Sequence, residues 1–263
     1  MSPSRTRNRL TRRGKVVVAI VAGAAVAGLV TWAWPGGGAE PSAARSPGPS
    51  NGPSAVSGTH VPPCIYGDLP TDHAGYDQWR RTLLDTAFRL PAGYVPPDLV
   101  PVTEAGFATA NLRVRHVVVP SLAVLRTAAA SAGHPIDVVA AYRSFNDQAD
   151  LFARRARQAG YSQTLDRTAK AGHSEHQLGT AVDFKTLGAA DVTQSWGHEP
   201  TGSWMAANAY RFGFVLSYPE GQRDRTCYPY EPWHFRYVGK SLAAKIHRSG
   251  LTLREYLWRL NHS

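Results

Sequence analysis

The chain has 263 residues, of which 43% are hydrophobic and 18% charged, with two cysteines and a formal net charge of +10. The charge is lopsided. Six of the 29 Lys/Arg residues fall in residues 1–15 and no acid occurs before Glu40, so residues 16–263 carry 23 basic against 19 acidic residues, or +4. That excludes reading the basic balance as a nucleic-acid footprint; it is a topology signal instead.

Residues 1–15, MSPSRTRNRLTRRGK, form a basic segment, and residues 16–34, VVVAIVAGAAVAGLVTWAW, are nineteen almost wholly apolar positions without a charge. This length suits a membrane-spanning helix, with a cytoplasmic N-terminus, Trp32 and Trp34 at the far interface and the rest of the chain exported. A cleaved signal segment is the rival reading. Either way the remainder lies outside the cytoplasm, anchored to the membrane or secreted. Residues 35–63 are Pro, Gly, Ser or Ala at 22 of 29 positions. Such a composition cannot bury enough apolar surface to fold and predicts a disordered linker. One folded domain is then expected over residues 64–263. Cys64 and Cys227 both fall in the exported part, where a disulfide is favoured over two free thiols. It would close a loop of about 160 residues, worth on the order of 4–5 kcal/mol in the chain-entropy view.

Within the domain, residues 78–90 (QWRRTLLDTAFRL) have helical spacing. A helix is predicted after Pro120-Ser121 with Gly133 as its stop, then a strand over 135–142. Ser144 is placed to cap a second helix ending at Gly160. TAVDF reads as a short strand, SWMAANAYRFG as a helix capped by Ser203 and stopped by Gly213, and FVLSY and EPWHFRYV as further strands. Two helices, about 239–249 and 252–260, close the chain. With no regular strand-helix-strand repeat and no Gly-rich phosphate loop, the expected fold class is α+β, a small mixed or antiparallel sheet with flanking helices.

The stretch GHSEHQLGTAVDF (residues 172–184) carries two histidines, a glutamate and an aspartate. In a strand Val182 and Phe184 share the core face, which turns Asp183 and Ala181 the other way. His176 lies an odd number of residues back, and Gly179 offers the bend that brings it round beside Asp183. An imidazole and a carboxylate suit zinc, and a catalytic zinc wants a third protein ligand and an open position. His234, in YEPWHFRY, is the candidate. Glu231, three residues earlier, is placed to serve as a general base. Other divalent ions remain compatible with these ligand types.

SEHQLGTAVDF and EPWHFRY, with AAYRSFNDQ at 140–148 and YRFGFVLSYP at 210–219, resemble the VanY-type D-alanyl-D-alanine carboxypeptidases. These belong to a zinc peptidase group that also includes lysostaphin and sonic hedgehog. The resemblance covers most of residues 64–260. It implies a hedgehog/DD-peptidase-like zinc domain, with His176, Asp183 and His234 as zinc ligands, Glu231 as base and Arg143 steadying the oxyanion. Gln148 and Ser174 are similar to residues near the substrate in relatives. The implied activity removes the terminal D-alanine from peptidoglycan stem peptides, with Zn2+ activating the water. L,D-carboxypeptidase, wall endopeptidase and non-catalytic wall-binding module are the alternatives. The implied partners are the stem peptide and, through residues 16–34, the membrane, with no nucleic acid and a monomeric chain.

Blander readings apply nearby. His173 is a loop or supporting residue, His198 a solvated surface histidine, Trp233 packing beside the ligand, and Tyr228, Tyr230 and Tyr237 core or rim. Glu175, on the far side of His176 in an extended chain, is expected to be structural.

Overall fold

The computed structural model describes residues 60–263. The basic segment, the apolar segment 16–34 and nearly all of the linker lie outside the described residues. Among the described residues no helix is long and apolar enough to cross a membrane.

Two short strands, β1 (Leu69–Pro70) and β2 (Phe88–Arg89), pair in parallel, and β3 (Leu99–Pro101) pairs antiparallel with β4 (Arg113–Arg115). There follow α1 (Val119–Ser131), β5 (Ile136–Ala140), α2 (Phe145–Ala159), α3 (Tyr161–Leu165) and β6 (Ala181–Thr186). Then come α4 (Pro200–Asn208), β7 (Phe214–Leu216), α5 (Arg223–Thr226), β8 (His234–Tyr237), α6 (Lys240–Ser249) and α7 (Leu253–His262). The main sheet has the order β5-β6-β8-β7 and every pair in it is antiparallel. Helices flank this small sheet, so the class is α+β, as the element pattern predicts.

Alternation along β6 and β8 divides the sheet into two chemically distinct faces. Val182, Phe184 and Phe235 point into the main core with Phe214 of β7, against Leu122, Leu125 and Ala129 of α1. Those three α1 positions share one helix face, and full burial of each leucine or phenylalanine contributes about 1.5–3 kcal/mol. The opposite face presents Asp183, His234 and Arg236, and it is there that the polar site is built. A second cluster joins Leu83 and Phe88 to Ile246, Leu257 and Trp258, which seats the N-terminal loop on α6 and α7.

The second helix forms as its sequence signals. Ser144 caps α2 reciprocally with Asp147, and Gly160 ends it. Three expectations change. Residues 78–90 are not a helix. One turn forms, in which the Arg81 and Thr82 amides donate to the Gln78 carbonyl. Beyond it the carbonyls of Trp79 and Thr82 accept from the buried Arg236 guanidinium at 2.7 Å each, and Asp85 accepts from the amides of Ala87 and Phe88. Carbonyls a helix would use internally are thus taken by a distant arginine. In α4 the cap is Glu199 with Pro200 at the first helical position, and the Ser203 hydroxyl instead donates to the Gly197 carbonyl. Residues 231–238 are not extended throughout: the His234 amide donates to the Glu231 carbonyl at 3.0 Å, closing a turn over Pro232-Trp233 before β8 begins. Proline at the second position of such a turn is pre-set for it.

Cys64 and Cys227 form a disulfide across 163 residues of sequence. Cys227 ends α5 at φ 69°, the one non-glycine with positive φ among the described residues.

Candidate active site

The sheet register sets the first two site residues. Asp183 of β6 lies directly opposite His234 of β8, and the Asp183 Oδ1 to His234 Nδ1 distance is 3.0 Å. His176 arrives from a single 3₁₀ turn, Glu175–Leu178, which Ser174 caps by accepting from the His176 amide. Gly179 closes that turn at φ +70°, and a Cβ there would press on Arg115 and Leu99. The chain bends at Gly179 and runs into β6, which leaves His176 Nε2 3.3 Å from Asp183 Oδ2. The two imidazoles meet edge to face at 4.9 Å.

Hydrogen bonds behind the rings assign their tautomers. His176 Nδ1 lies 2.7 Å from the Ala141 carbonyl, which can only accept, so Nδ1 carries a proton and Nε2 is the nitrogen that faces Asp183. Behind His234, Glu175 Oε2 lies 3.0 Å from Nε2, which turns Nδ1 toward Asp183. One ligand atom from each of His176, Asp183 and His234 falls within 4.8 Å of the others, and all three residues are buried. Two imidazole nitrogens and a carboxylate with fixed tautomers are a donor set for a divalent metal, and partners behind the ligands are what orient such sites.

Without a metal the charges are balanced internally. Burial would raise Asp183, but His176 and His234 outweigh it and hold the carboxyl well below the usual range. Burial would lower His234, but hydrogen bonds to Asp183 and Glu175 push it up to about 10. Burial is the largest influence on His176 and lowers it, with Asp183 opposing. Burial likewise works against Glu175, yet the Arg236 guanidinium and His234 hold it at about 2.

Glu231 stands beside this group, its Oε2 4.0 Å from His234 Nδ1 and its side chain 22% exposed. The turn over Pro232-Trp233 brings it to the same side as the histidine. Burial raises its carboxyl to about 7, with Asp183 adding to the rise and His234 opposing it. Arg143 follows β5, and its amide donates to the His176 carbonyl. Its guanidinium donates to Gln148 Oε1 at 2.8 Å, and Gln148 in turn donates to the Ala169 carbonyl at 2.7 Å. Gln148 is thus buried behind Arg143 and fixes its direction, while both side chains and Ser174 line one cleft with Glu231 and the histidines. The cleft encloses about 740 Å³.

The structure therefore brings together every residue singled out in the sequence for this site. It corrects the expectation for Glu175. A 3₁₀ turn rather than an extended chain carries residues 175–178, so Glu175 reaches His234. There it also accepts from Ser217 Oγ at 2.6 Å and, on its other oxygen, from Arg236 Nη1 at 2.9 Å. Tyr218 was given no role by its sequence context, yet its ring packs on His234 at 4.8 Å and lines the cleft. His173 is buried, bonded to the Asp85 carbonyl at 2.7 Å, and takes no part. His198 is exposed and faces Glu220 at 3.5 Å.

Comparison with known proteins agrees with this geometry. Residues 111–240 match the VanY family of D-alanyl-D-alanine carboxypeptidases. YodJ of Bacillus subtilis is 35% identical over 179 residues, which covers 66% of this chain and 65% of that protein. A D-alanyl-D-alanine carboxypeptidase of Enterococcus faecalis is 49% identical over 86 residues, 33% of this chain and 30% of the relative. The chain thus spans just under two thirds of the first of these proteins and less than a third of the second. Among solved structures, a D,D-pentapeptidase VanY from a VanB-type resistance cassette, in complex with Zn(II), is 30% identical with a TM-score of 0.58, over 68% of this chain and 99% of that one. The LdcB LD-carboxypeptidase is 29% identical with a TM-score of 0.62, over 74% of this chain and 98% of that one. The four-stranded sheet, the His-Asp-His group and these matches together place the chain in the VanY family of D-alanyl-D-alanine carboxypeptidases, a family of peptidase hydrolases.

Proposed function

We propose that this chain is a zinc-dependent D-alanyl-D-alanine carboxypeptidase that removes the terminal D-alanine from peptidoglycan stem peptides. The observation that carries the reading is the convergence of His176, Asp183 and His234 with Glu231 and Arg143 in one cleft. A purely structural metal site needs neither the base nor the guanidinium.

His176 Nε2, a carboxylate oxygen of Asp183 and His234 Nδ1 would hold the ion. When bound, zinc polarises the scissile carbonyl and lowers the pKa of a water. Glu231 accepts the proton of the attacking water and delivers it to the departing amine. Arg143, aimed by Gln148, stabilises the negative charge that develops on the carbonyl oxygen. Ser174, at the cleft wall, is placed to contact the peptide. No serine or cysteine nucleophile is required.

The domain acts outside the cytoplasm. In this reading residues 16–34 hold it at the membrane, and residues 35–63 give it reach into the wall as a monomer.

The likeness to the LdcB LD-carboxypeptidase supports a second reading on the same machinery, with a tetrapeptide as substrate. One assay separates the two. Zinc-loaded protein is incubated with a stem pentapeptide ending in D-Ala-D-Ala and with the matching tetrapeptide, with and without a chelator, and released D-alanine is followed. Chelator-sensitive release from the pentapeptide is expected. Release from the tetrapeptide alone moves the assignment to L,D cleavage, and release from neither refutes both.

A further inference from the structure

A dipeptide that no step of the proposed hydrolysis uses clasps the site from behind. Ser217 and Tyr218 follow β7 directly, and the register of β7 on β8 carries Ser217 opposite His234. The Ser217 amide donates to the His234 carbonyl at 3.3 Å, and the Tyr218 carbonyl accepts from the Glu231 amide at 3.1 Å. The turn that holds the candidate base and the candidate ligand is therefore bonded at both its ends to these two residues. Pro219 restricts Tyr218 to extended backbone, which keeps that pairing in line.

Their side chains reach the same two groups. Phe214 and Leu216 face the core, so Ser217 falls on the polar side of the sheet. Its Oγ donates to Glu175 Oε2 at 2.6 Å, the oxygen that meets His234 Nε2 at 3.0 Å. The Tyr218 ring lies against the His234 imidazole, with centroids 4.8 Å apart and planes 31° from parallel. Tyr228 in turn packs edge to face with Tyr218 at 5.1 Å. Glu175 fixes the direction of Nε2, but a single N···O contact leaves the imidazole free to rotate about that line. A second ring lying near-parallel to it limits the rotation. Ser217, Tyr218 and Tyr228 are all buried, and close packing leaves such rings little room to turn.

We propose that Ser217 and Tyr218 are positioning residues for the candidate ligand: the Tyr218 ring sets the tilt of the His234 imidazole, and the Ser217 hydroxyl holds the Glu175 oxygen that aims it. The inference rests on the peptidase reading of the site and gives Tyr218 a role for its ring and none for its hydroxyl.

Three variants test it, each with two readings. The first is kcat and KM for release of D-alanine from a pentapeptide ending in D-Ala-D-Ala by zinc-loaded protein. The second is the visible spectrum of the cobalt(II)-substituted protein, which follows the geometry of the ligand atoms and needs no turnover. In Tyr218→Leu, kcat is expected to fall about 10–100-fold with KM little changed, the usual effect of losing support behind a ligand, and the cobalt bands should shift. Tyr218→Phe keeps the ring and should match wild type in both readings. Ser217→Ala removes one buried oxygen and should give a smaller loss of kcat with a shifted spectrum. Wild-type kcat and spectrum in Tyr218→Leu overturn the proposal, as does a fall confined to KM, which makes Tyr218 a substrate contact. A loss in Tyr218→Phe equal to that in Tyr218→Leu overturns it too, because the hydroxyl is then what acts. If Tyr218→Leu does not fold, Ser217→Ala decides by the same criteria. If wild type cleaves no peptide, the peptidase reading fails, and the cobalt spectra still decide the positioning role: identical bands in wild type and Tyr218→Leu overturn it.

Discussion

Glu175 Oε2 lies 3.0 Å from His234 Nε2, and Glu175 Oε1 lies 2.9 Å from Arg236 Nη1. The carboxylate is 4% exposed and the arginine fully buried. One acid thus orients the candidate ligand and neutralises a cation that has no access to water. Glu175→Gln keeps the shape but can present its amide nitrogen to the ring, which weakens the preference for Nδ1 facing the metal. Zinc affinity, read by competition with a chromophoric chelator, is expected to fall about 10–100-fold, the usual cost of losing a partner behind a ligand. Glu175→Ala should in addition destabilise the fold by roughly 3–5 kcal/mol, because Arg236 is left unpaired. Unchanged affinity in both variants would show that the contact does not orient His234.

The acid groups give opposite pH signatures. Glu231 is raised from 4.5 to about 7, so the folded metal-free protein retains a proton that the unfolded chain has released. That stabilisation is complete below about pH 4.5 and is lost as pH rises toward 7, with a slope of at most about 1.4 kcal/mol per pH unit. Urea titrations of metal-free wild type and Glu231→Gln should differ by this slope. Asp183 and Glu175, both held low, contribute stability that is in place at neutral pH and lost in acid. His234, raised to about 10, must give up its Nδ1 proton to a metal, so apparent zinc affinity should climb through neutral pH with proton release, measurable by calorimetry in buffers of different ionisation enthalpy.

Arg143 and Gln148 should separate by kinetic constant. Arg143→Ala is expected to lower kcat by about 10²–10³ with zinc content unchanged, the range for losing a donor to a developing oxyanion. Gln148→Ala acts through Arg143 and should give a smaller loss of the same kind. A fall confined to KM in both variants would move Arg143 from charge stabilisation to substrate binding.

Removing the disulfide by Cys64→Ser/Cys227→Ser should cost about 2–5 kcal/mol of stability. Cys227 is four residues before Glu231 and closes α5. Comparing denaturation midpoints of the variant and of wild type under oxidising and reducing conditions tests this. Reduced wild type should match the variant.

What could be read in the linear chain was local. Ser144, Asp147 and Gly160 bound α2 by capping chemistry that acts over one helical turn. The alternation of TAVDF placed Val182 and Phe184 inward and Asp183 outward, and Gly179 gave the bend that His176 needs. What could not be read depends on partners far away in sequence. Residues 78–90 have helical spacing, but their carbonyls are claimed by Arg236, more than 150 residues later. Glu175 was turned to the wrong side because a 3₁₀ turn rotates a side chain by about 120° per residue, against 180° in a strand.

Arg236 has a practical consequence for anyone wishing to move this site. The family match begins at residue 111, which invites treating 111–240 as a portable cassette. Yet the guanidinium behind Glu175 spends two of its contacts on the backbone of Trp79 and Thr82, and Asp85 in the same loop clasps Arg254 of α7 at 2.6 Å. A graft confined to 111–240 would carry His234 without the scaffolding that steadies it. The smallest transplantable piece therefore has to include the loop before residue 90 and the helix after residue 250.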